Sequence, residues 1–137
     1  MSLTAIRNAA TVVVDGVSGI DQVVAYPPEQ APNVITAWFG NATFEITKSG
    51  SQLWTYLVPL TVVIPRQGVI EAQLAKIEPL LLTVIQAFDA NITLGNICNG
   101  FNPLGGEQGY VPFPEGALPG FTVTFRAHEK RNVSLTG

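Results

Sequence analysis

The sequence predicts one α+β domain in which helices pack on one face of an antiparallel or mixed sheet. Three observations lead to this fold class. Apolar residues recur at helical spacing near the N-terminus, alternate in the run from Gln52 to Ile64, and return to helical spacing from Gly68. A chain of 137 residues fits one domain, residues 1–137, whose core is large enough to need neither disulfides nor metal.

The first predicted element is an N-terminal helix from about residue 3 to residue 14. Ser2 is a candidate N-cap and Gly16 a candidate stop signal. The β-branched run from Thr11 to Val14 forms helix poorly, so packing must hold this helix in place. Its apolar face consists of Leu3, Ile6, Ala10, Val13 and Val14.

Four strands are predicted next, over Gln22 to Tyr26, Asn33 to Phe39, Thr43 to Lys48 and Gln52 to Ile64. Pro59 in the last of them indicates an edge strand or a bulge, since a central strand would lose a hydrogen bond there. One side of this strand is expected to face the core. It carries Trp54, Tyr56, Val58, Leu60, Val62 and Ile64.

From Gly68 the sequence predicts a central pair of helices, kinked or divided at Pro79. Proline removes a helix hydrogen bond, so it either bends one helix or opens a second one. The apolar stripe of this region consists of Ile70, Leu74, Ile77, Leu81, Val84, Ile85 and Phe88.

Residues 95–120 contain seven glycines and four prolines, which predicts an extended loop or arm. Three aromatic residues in a free loop would expose apolar area, so we expect an arm or hairpin that orders against a neighbouring subunit. The alternative is a loosely ordered surface excursion. A last strand is predicted from Phe121 to Arg126, followed by a polar C-terminal tail over residues 127–137.

The composition favours assembly. Only 12% of the residues are charged, 47% are hydrophobic, and the mean hydropathy is +0.30, so a neutral surface must be covered in some way. No apolar run is long enough for a membrane-spanning helix, which favours burial against partner subunits over the membrane. An unusually apolar monomer is the alternative. The net charge of −3 argues against binding nucleic acid through phosphate contacts.

Residues that could do chemistry are few. His128 is the single histidine, and nothing in the sequence marks a nucleophile beside it. Cys98 is the single cysteine, so the usual set of metal ligands cannot be assembled, and an inert core thiol is expected. The stretch Gly105 to Gly109 lacks the Lys-Ser/Thr of a phosphate loop. We therefore predict no catalytic, cofactor-binding or metal site, and no enzyme.

Four residues are candidates for a subunit interface. Phe101, Tyr110 and Phe113 are the aromatic residues of the expected arm, and such side chains are common interface anchors. Arg66 precedes the central helices and could pair with Glu71 or with a neighbour's carboxylate. The two tryptophans, Trp38 and Trp54, are expected in the core.

Four segments together resemble a known family. They are the opening helix LTAIRNAA, the strand ending VVAYPP, the long strand WTYLVPLTVVIPR that runs into a helix, and the broken helix pair AKIEPLLLTVIQAF. Their arrangement is similar to that of tail terminator proteins of long-tailed bacteriophages, particularly phages of actinobacteria. The similarity extends in outline over nearly the whole chain. It is one of arrangement, since the family has no short diagnostic motif.

The resemblance implies a homo-oligomeric ring, typically of six subunits, at the head-proximal end of the virion's tail tube. Such a ring stops tube polymerisation, presents a docking face to the head-completion or stopper protein, and lets the genome pass through its lumen. It is assembled in the host cytoplasm. A low net charge suits a channel through which DNA must slide without specific binding. The alternatives are another head-tail joining or neck protein, or a small-molecule binding domain with an apolar pocket.

Overall fold

The computed structural model describes residues 3–49, 51–65, 75–95, 98 and 100–132. Two helices and six strands lie within these ranges. In chain order they are α1 (Leu3–Asp15), β1 (Gln22–Val23), β2 (Thr36–Phe39), β3 (Thr43–Ser49), β4 (Ser51–Val63), α2 (Ile77–Asp89), β5 (Gly100–Val111) and β6 (Leu118–Asn132).

The strands form one mixed sheet in the order β1-β2-β4-β6-β5, with β3 also paired to β4. β1 and β2 are parallel, and the other pairs are antiparallel. β4 is the central strand of the sheet, and it pairs with β6 along its whole length on one side. On its other side β3 and β2 follow one another along the same edge. The predicted α+β class is therefore confirmed.

Both helices pack on the same face of this sheet, as predicted. Alternation along β4 and β6 turns every second side chain toward the helices, which produces one continuous apolar layer. The predicted core face of β4 is buried from Tyr56 to Ile64, and Trp54 is half-buried against it. α1 contributes Ile6, Ala10 and Val14 to this core, α2 contributes Ile77, Leu80, Val84 and Phe88, and β6 contributes Phe121, Val123, Phe125 and Ala127.

Pro59 lies in a central strand, so the predicted edge position or bulge was wrong. It pairs in regular register with Thr124 of β6. On its other side it faces the gap between the end of β2 and the start of β3, where its carbonyl oxygen accepts the N–H of Gly40 at 2.9 Å. The amide nitrogen and carbonyl of a strand residue point to the same side, so the donor that proline lacks faces this gap. The hydrogen bonds between β4 and β6 therefore do not depend on the missing proline donor.

The helix boundaries follow the sequence signals. α1 ends at Asp15, and the Gly16 N–H bonds to the carbonyls of Val12 and Val13. α2 begins at Ile77, so Pro79 lies in its first turn, where a backbone N–H has no intrahelical acceptor. This agrees with the alternative in which Pro79 opens a second helix. The part of the predicted pair that includes Ile70 and Leu74 lies outside the described residues.

The segment after α2 contains a strand where an extended loop or arm was predicted. Residues 100–111 form β5, because they pair with β6 from Gly100 to Val111. Ordering of this segment against a neighbouring subunit stays a prediction. The glycines and prolines are accommodated by one register shift between Pro103 and Gly105. The polar tail predicted from residue 127 is likewise corrected, since β6 continues to Asn132 and Ala127 is buried. Residues 133–137 lie outside the described ranges.

Candidate assembly surface

The few reactive side chains are held apart. The Cys98 thiol is buried and lies 3.8 Å from the carbonyl oxygen of Thr93. His128 lies on the sheet face opposite the helices, where its Nδ1 is 3.4 Å from the Thr55 hydroxyl. Burial lowers the pKa of His128, and the positive charge of Arg126 lowers it further. The folded state therefore favours the neutral ring.

Neither a metal-binding cluster nor a membrane-spanning helix occurs among the described residues. Among those residues, no three His, Cys, Asp or Glu side chains are grouped so that they could hold a metal ion. None of the helices described is both long enough and apolar enough to cross a membrane. The remaining candidates are surfaces that could bind another macromolecule.

The first such surface is the exposed stretch of β5, residues 104–110. All seven residues are exposed, and in the described ranges no strand pairs with the outer edge of β5. An unpaired edge of this length is a template for adding a further strand. Tyr110 is 59% exposed and Leu104 is 50% exposed, so the stretch also presents apolar area. Glu107 is the one ionised side chain of β5.

The four predicted interface residues have different places. Phe101 is wholly buried in its own core, with ring centroids 5.2 Å from Phe88 and 4.9 Å from Phe125, so it is corrected to a core residue. Phe113 is half-buried and packs edge-on against Trp38 at 6.4 Å. Tyr110 is the aromatic residue of the three that is open to a partner. Arg66 lies outside the described residues.

Phe113 belongs to a small second cluster on the sheet face opposite the helices. Trp38, Val63 and Leu118 are its buried members, and they cover one end of that face. The turn after β5 is tied down there, because the Glu115 carboxylate accepts the N–H of Ala31 at 3.1 Å. The turn is thus anchored to its own chain.

A second surface lies at the opposite edge of the sheet, and the sequence analysis did not predict it. The polar side of α1 and the segment 23–26 enclose a cleft of about 410 Å³, the α1–β1 cleft. Arg7 lies in it, half-buried, and its Nη2 donates to the carbonyl oxygen of Phe39 at 2.8 Å. Tyr26, at its lip, is 79% exposed. The polar stripe Thr4, Arg7, Asn8 and Thr11, at helical spacing, was the signal that could have indicated it.

A third surface lies where the sheet extends beyond the helices. Phe44 stacks on Trp54 with ring centroids 5.7 Å apart, and Trp54 stacks in turn on Tyr56 at 6.1 Å. Phe44 and Ile46 face the helix side of the sheet but remain exposed. This end of the sheet therefore presents stacked aromatic rings to solvent.

The middle of the sheet face opposite the helices carries no charge among its described residues. Threonines lie side by side there across β4 and β6, with the hydroxyls of Thr61 and Thr122 3.2 Å apart. Pro59 and Leu57 continue the same face of β4 and are half-buried. Three of the described charged residues lie around this middle on the same face, namely Glu45, Glu107 and Arg126.

No protein-family model matches the chain, and no curated protein is significantly similar to it.

Proposed function

We propose that this chain is a structural virion protein, the tail terminator of a long-tailed bacteriophage. In this role copies of the chain form a ring, of six subunits in the family that it resembles, at the head-proximal end of the tail tube. The ring ends tube polymerisation and joins the tail to the stopper protein of the head. The genome passes through its lumen without specific binding.

The observation that carries this proposal is the exposed stretch of β5. A free monomer usually protects a sheet edge with charge, proline or a covering element. Here Pro103 and the adjacent register shift protect one end, whereas residues 106–111 carry a single charge and the exposed ring of Tyr110. An edge of this kind favours strand addition from a partner, with an aromatic residue as anchor.

The charge distribution supports the same role. The chain has ten acidic and seven basic residues, so a ring of copies would not hold DNA by a strongly basic lumen. The uncharged middle of the sheet face opposite the helices and the stacked rings of Phe44 and Trp54 provide further area that a neighbouring copy can cover. An assembly subunit needs such area, because stable interfaces bury on the order of 800 Å² per partner.

The proposal predicts that Tyr110→Ala weakens self-association about tenfold, because it removes the exposed aromatic anchor of β5. The fold should persist, since Tyr110 lies outside both buried clusters. Light-scattering chromatography over a series of protein concentrations measures the association, and thermal unfolding measures the fold.

Leu82→Ala is the matched control, because Leu82 is an exposed apolar residue on α2. This variant should associate like the parent. If Tyr110→Ala also associated like the parent, the exposed stretch of β5 would not be the interface.

A further inference from the structure

The α1–β1 cleft holds the positive charge of Arg7, and the described residues of its walls carry no negative charge to balance it. Arg7 makes one hydrogen bond there, to the neutral carbonyl of Phe39. The described residues that line the cleft contribute hydroxyl, amide and apolar groups but no carboxylate. A half-buried guanidinium with five donors is a good receptor for a carboxylate, which it can bind through two parallel hydrogen bonds.

The exposed stretch of β5 presents a carboxylate of the right kind. Glu107 lies in its middle, is exposed, and faces away from the helices opposite Thr122. The other acidic residue between Gly100 and β6 is Glu115, which already accepts the Ala31 N–H. Glu107 is therefore the carboxylate that this hairpin can offer to a neighbour.

The two groups lie at opposite edges of the sheet. β1 forms one end of the strand order and β5 the other. Glu107 faces away from the helices and Arg7 lies on the helix side, so the contact that joins them does not continue the β1 ladder as one sheet. It brings β5 of one copy to the α1–β1 cleft of the next. These are two different surfaces, so the contact repeats head to tail. Contacts of this type close into rings when the rotation between copies allows it.

We infer that the α1–β1 cleft receives Glu107 of a second copy of this chain, with Arg7 as the residue that binds its carboxylate. The inference rests on the proposed function, since it names the surface that the exposed stretch of β5 meets in the ring. Tyr26 lines the same cleft and is 79% exposed, so its ring is available to cover the ion pair from solvent. Covering matters because an exposed ion pair is weak and easily screened by salt.

A double-mutant cycle tests the pairing. The full chain, Arg7→Ala, Glu107→Ala and the double variant are compared by sedimentation velocity over a range of concentrations at low ionic strength. Each single substitution should weaken association about tenfold, and the double variant should be no weaker than either single one. The charge-swapped variant, Arg7→Glu with Glu107→Arg, should regain most of the association that either reversal alone removes.

Three comparisons keep the outcome specific. Arg7→Lys retains the charge but lacks the two parallel donors, so it should restore only part of the association that Arg7→Ala removes. Glu78→Ala removes an exposed acidic residue of α2 and should change nothing. If the parent associates and Tyr110→Ala weakens it while the Arg7 and Glu107 effects simply add, the pairing is overturned and the proposed function stands. A parent chain that stays monomeric at every concentration and beside tail tubes overturns both.

Discussion

At the scale of single residues, the aromatic side chains divide between core and surface according to whether a helix or a neighbouring segment covers them. Phe88, Phe101 and Phe125 form a wholly buried group in which each pair of ring centroids lies between 4.5 and 5.2 Å apart. Replacing one of these phenylalanines with alanine should lower the free energy of unfolding by about 3–5 kcal/mol. Tyr110 is on the same hairpin as Phe101 but lies beyond the helices, which is why it remains exposed.

His128 gives a prediction that depends on pH. Burial and then the charge of Arg126 lower its pKa below the ordinary 6.5. The folded state therefore favours the neutral ring. The stability that this preference contributes is complete above the pKa of His128 in the unfolded chain. It is lost as the pH falls toward the lower pKa of His128 in the folded chain. As the pH is lowered from about 7.5 to about 5.5, the free energy of unfolding should decrease less for His128→Gln than for the parent.

Nuclear magnetic resonance measures the pKa directly, because the chain contains one histidine and its ring signals need no assignment. Arg126→Gln should raise the pKa only part of the way to 6.5, since burial is the larger cause. A pKa at or above 6.5 in the parent would contradict this account of the site.

At the scale of elements, two glycines set how closely the long strands approach one another. A Cβ atom on Gly120 of β6 would overlap the carbonyl oxygen of Val62 in β4. A Cβ atom on Gly106 of β5 would overlap the carbonyl oxygen of Thr122 in β6. β6 thus lies against both neighbours at positions where no side chain fits.

Gly120→Ala should therefore destabilise the fold by about 1–3 kcal/mol, because the strands must shift to admit one methyl group. Gly109, its cross-strand partner in β5, is the matched control, since a Cβ atom there would meet nothing within 4 Å. Gly109→Ala should change stability by less than about 0.5 kcal/mol. Urea unfolding of the three proteins measures the difference, and equal stabilities would refute the close-approach argument.

The elements that the sequence predicts well are those with long, regular patterns. β4 was predicted within one residue at each end because its alternation continues without a break from Trp54 to Ile64. α1 was predicted equally well from the spacing of its apolar face. β1 and β2 are shorter than predicted, since pairing with a neighbour, and not composition, decides where a strand ends.

β5 was missed because its composition contradicts its structure. Five of its twelve residues are glycine or proline, which single-strand preferences count against a strand. Pairing with β6 outweighs that preference, and the register shift absorbs the misfit. The α1–β1 cleft was not predicted for a similar reason. It forms only where α1 packs beside a segment that lies about twenty residues further along the chain.

At the scale of the whole molecule, the sheet has two unlike ends. One end carries the exposed stretch of β5, and the other carries the α1–β1 cleft. Between them lies a face whose middle carries threonine hydroxyls, with Glu45, Glu107 and Arg126 around it. A molecule with complementary unlike ends is suited to repeat around an axis, and a scarcity of charge is then a property of buried interfaces.

Electron microscopy of growing tail tubes tests the central claim most directly. Tail tube protein from the same virus is assembled with and without the labelled chain, and the tube ends are imaged. We predict that the chain forms a closed ring at one end of each tube and that capped tubes stop lengthening. Tubes that lengthen equally in both samples, beside a chain that remains a solitary monomer, would contradict the account.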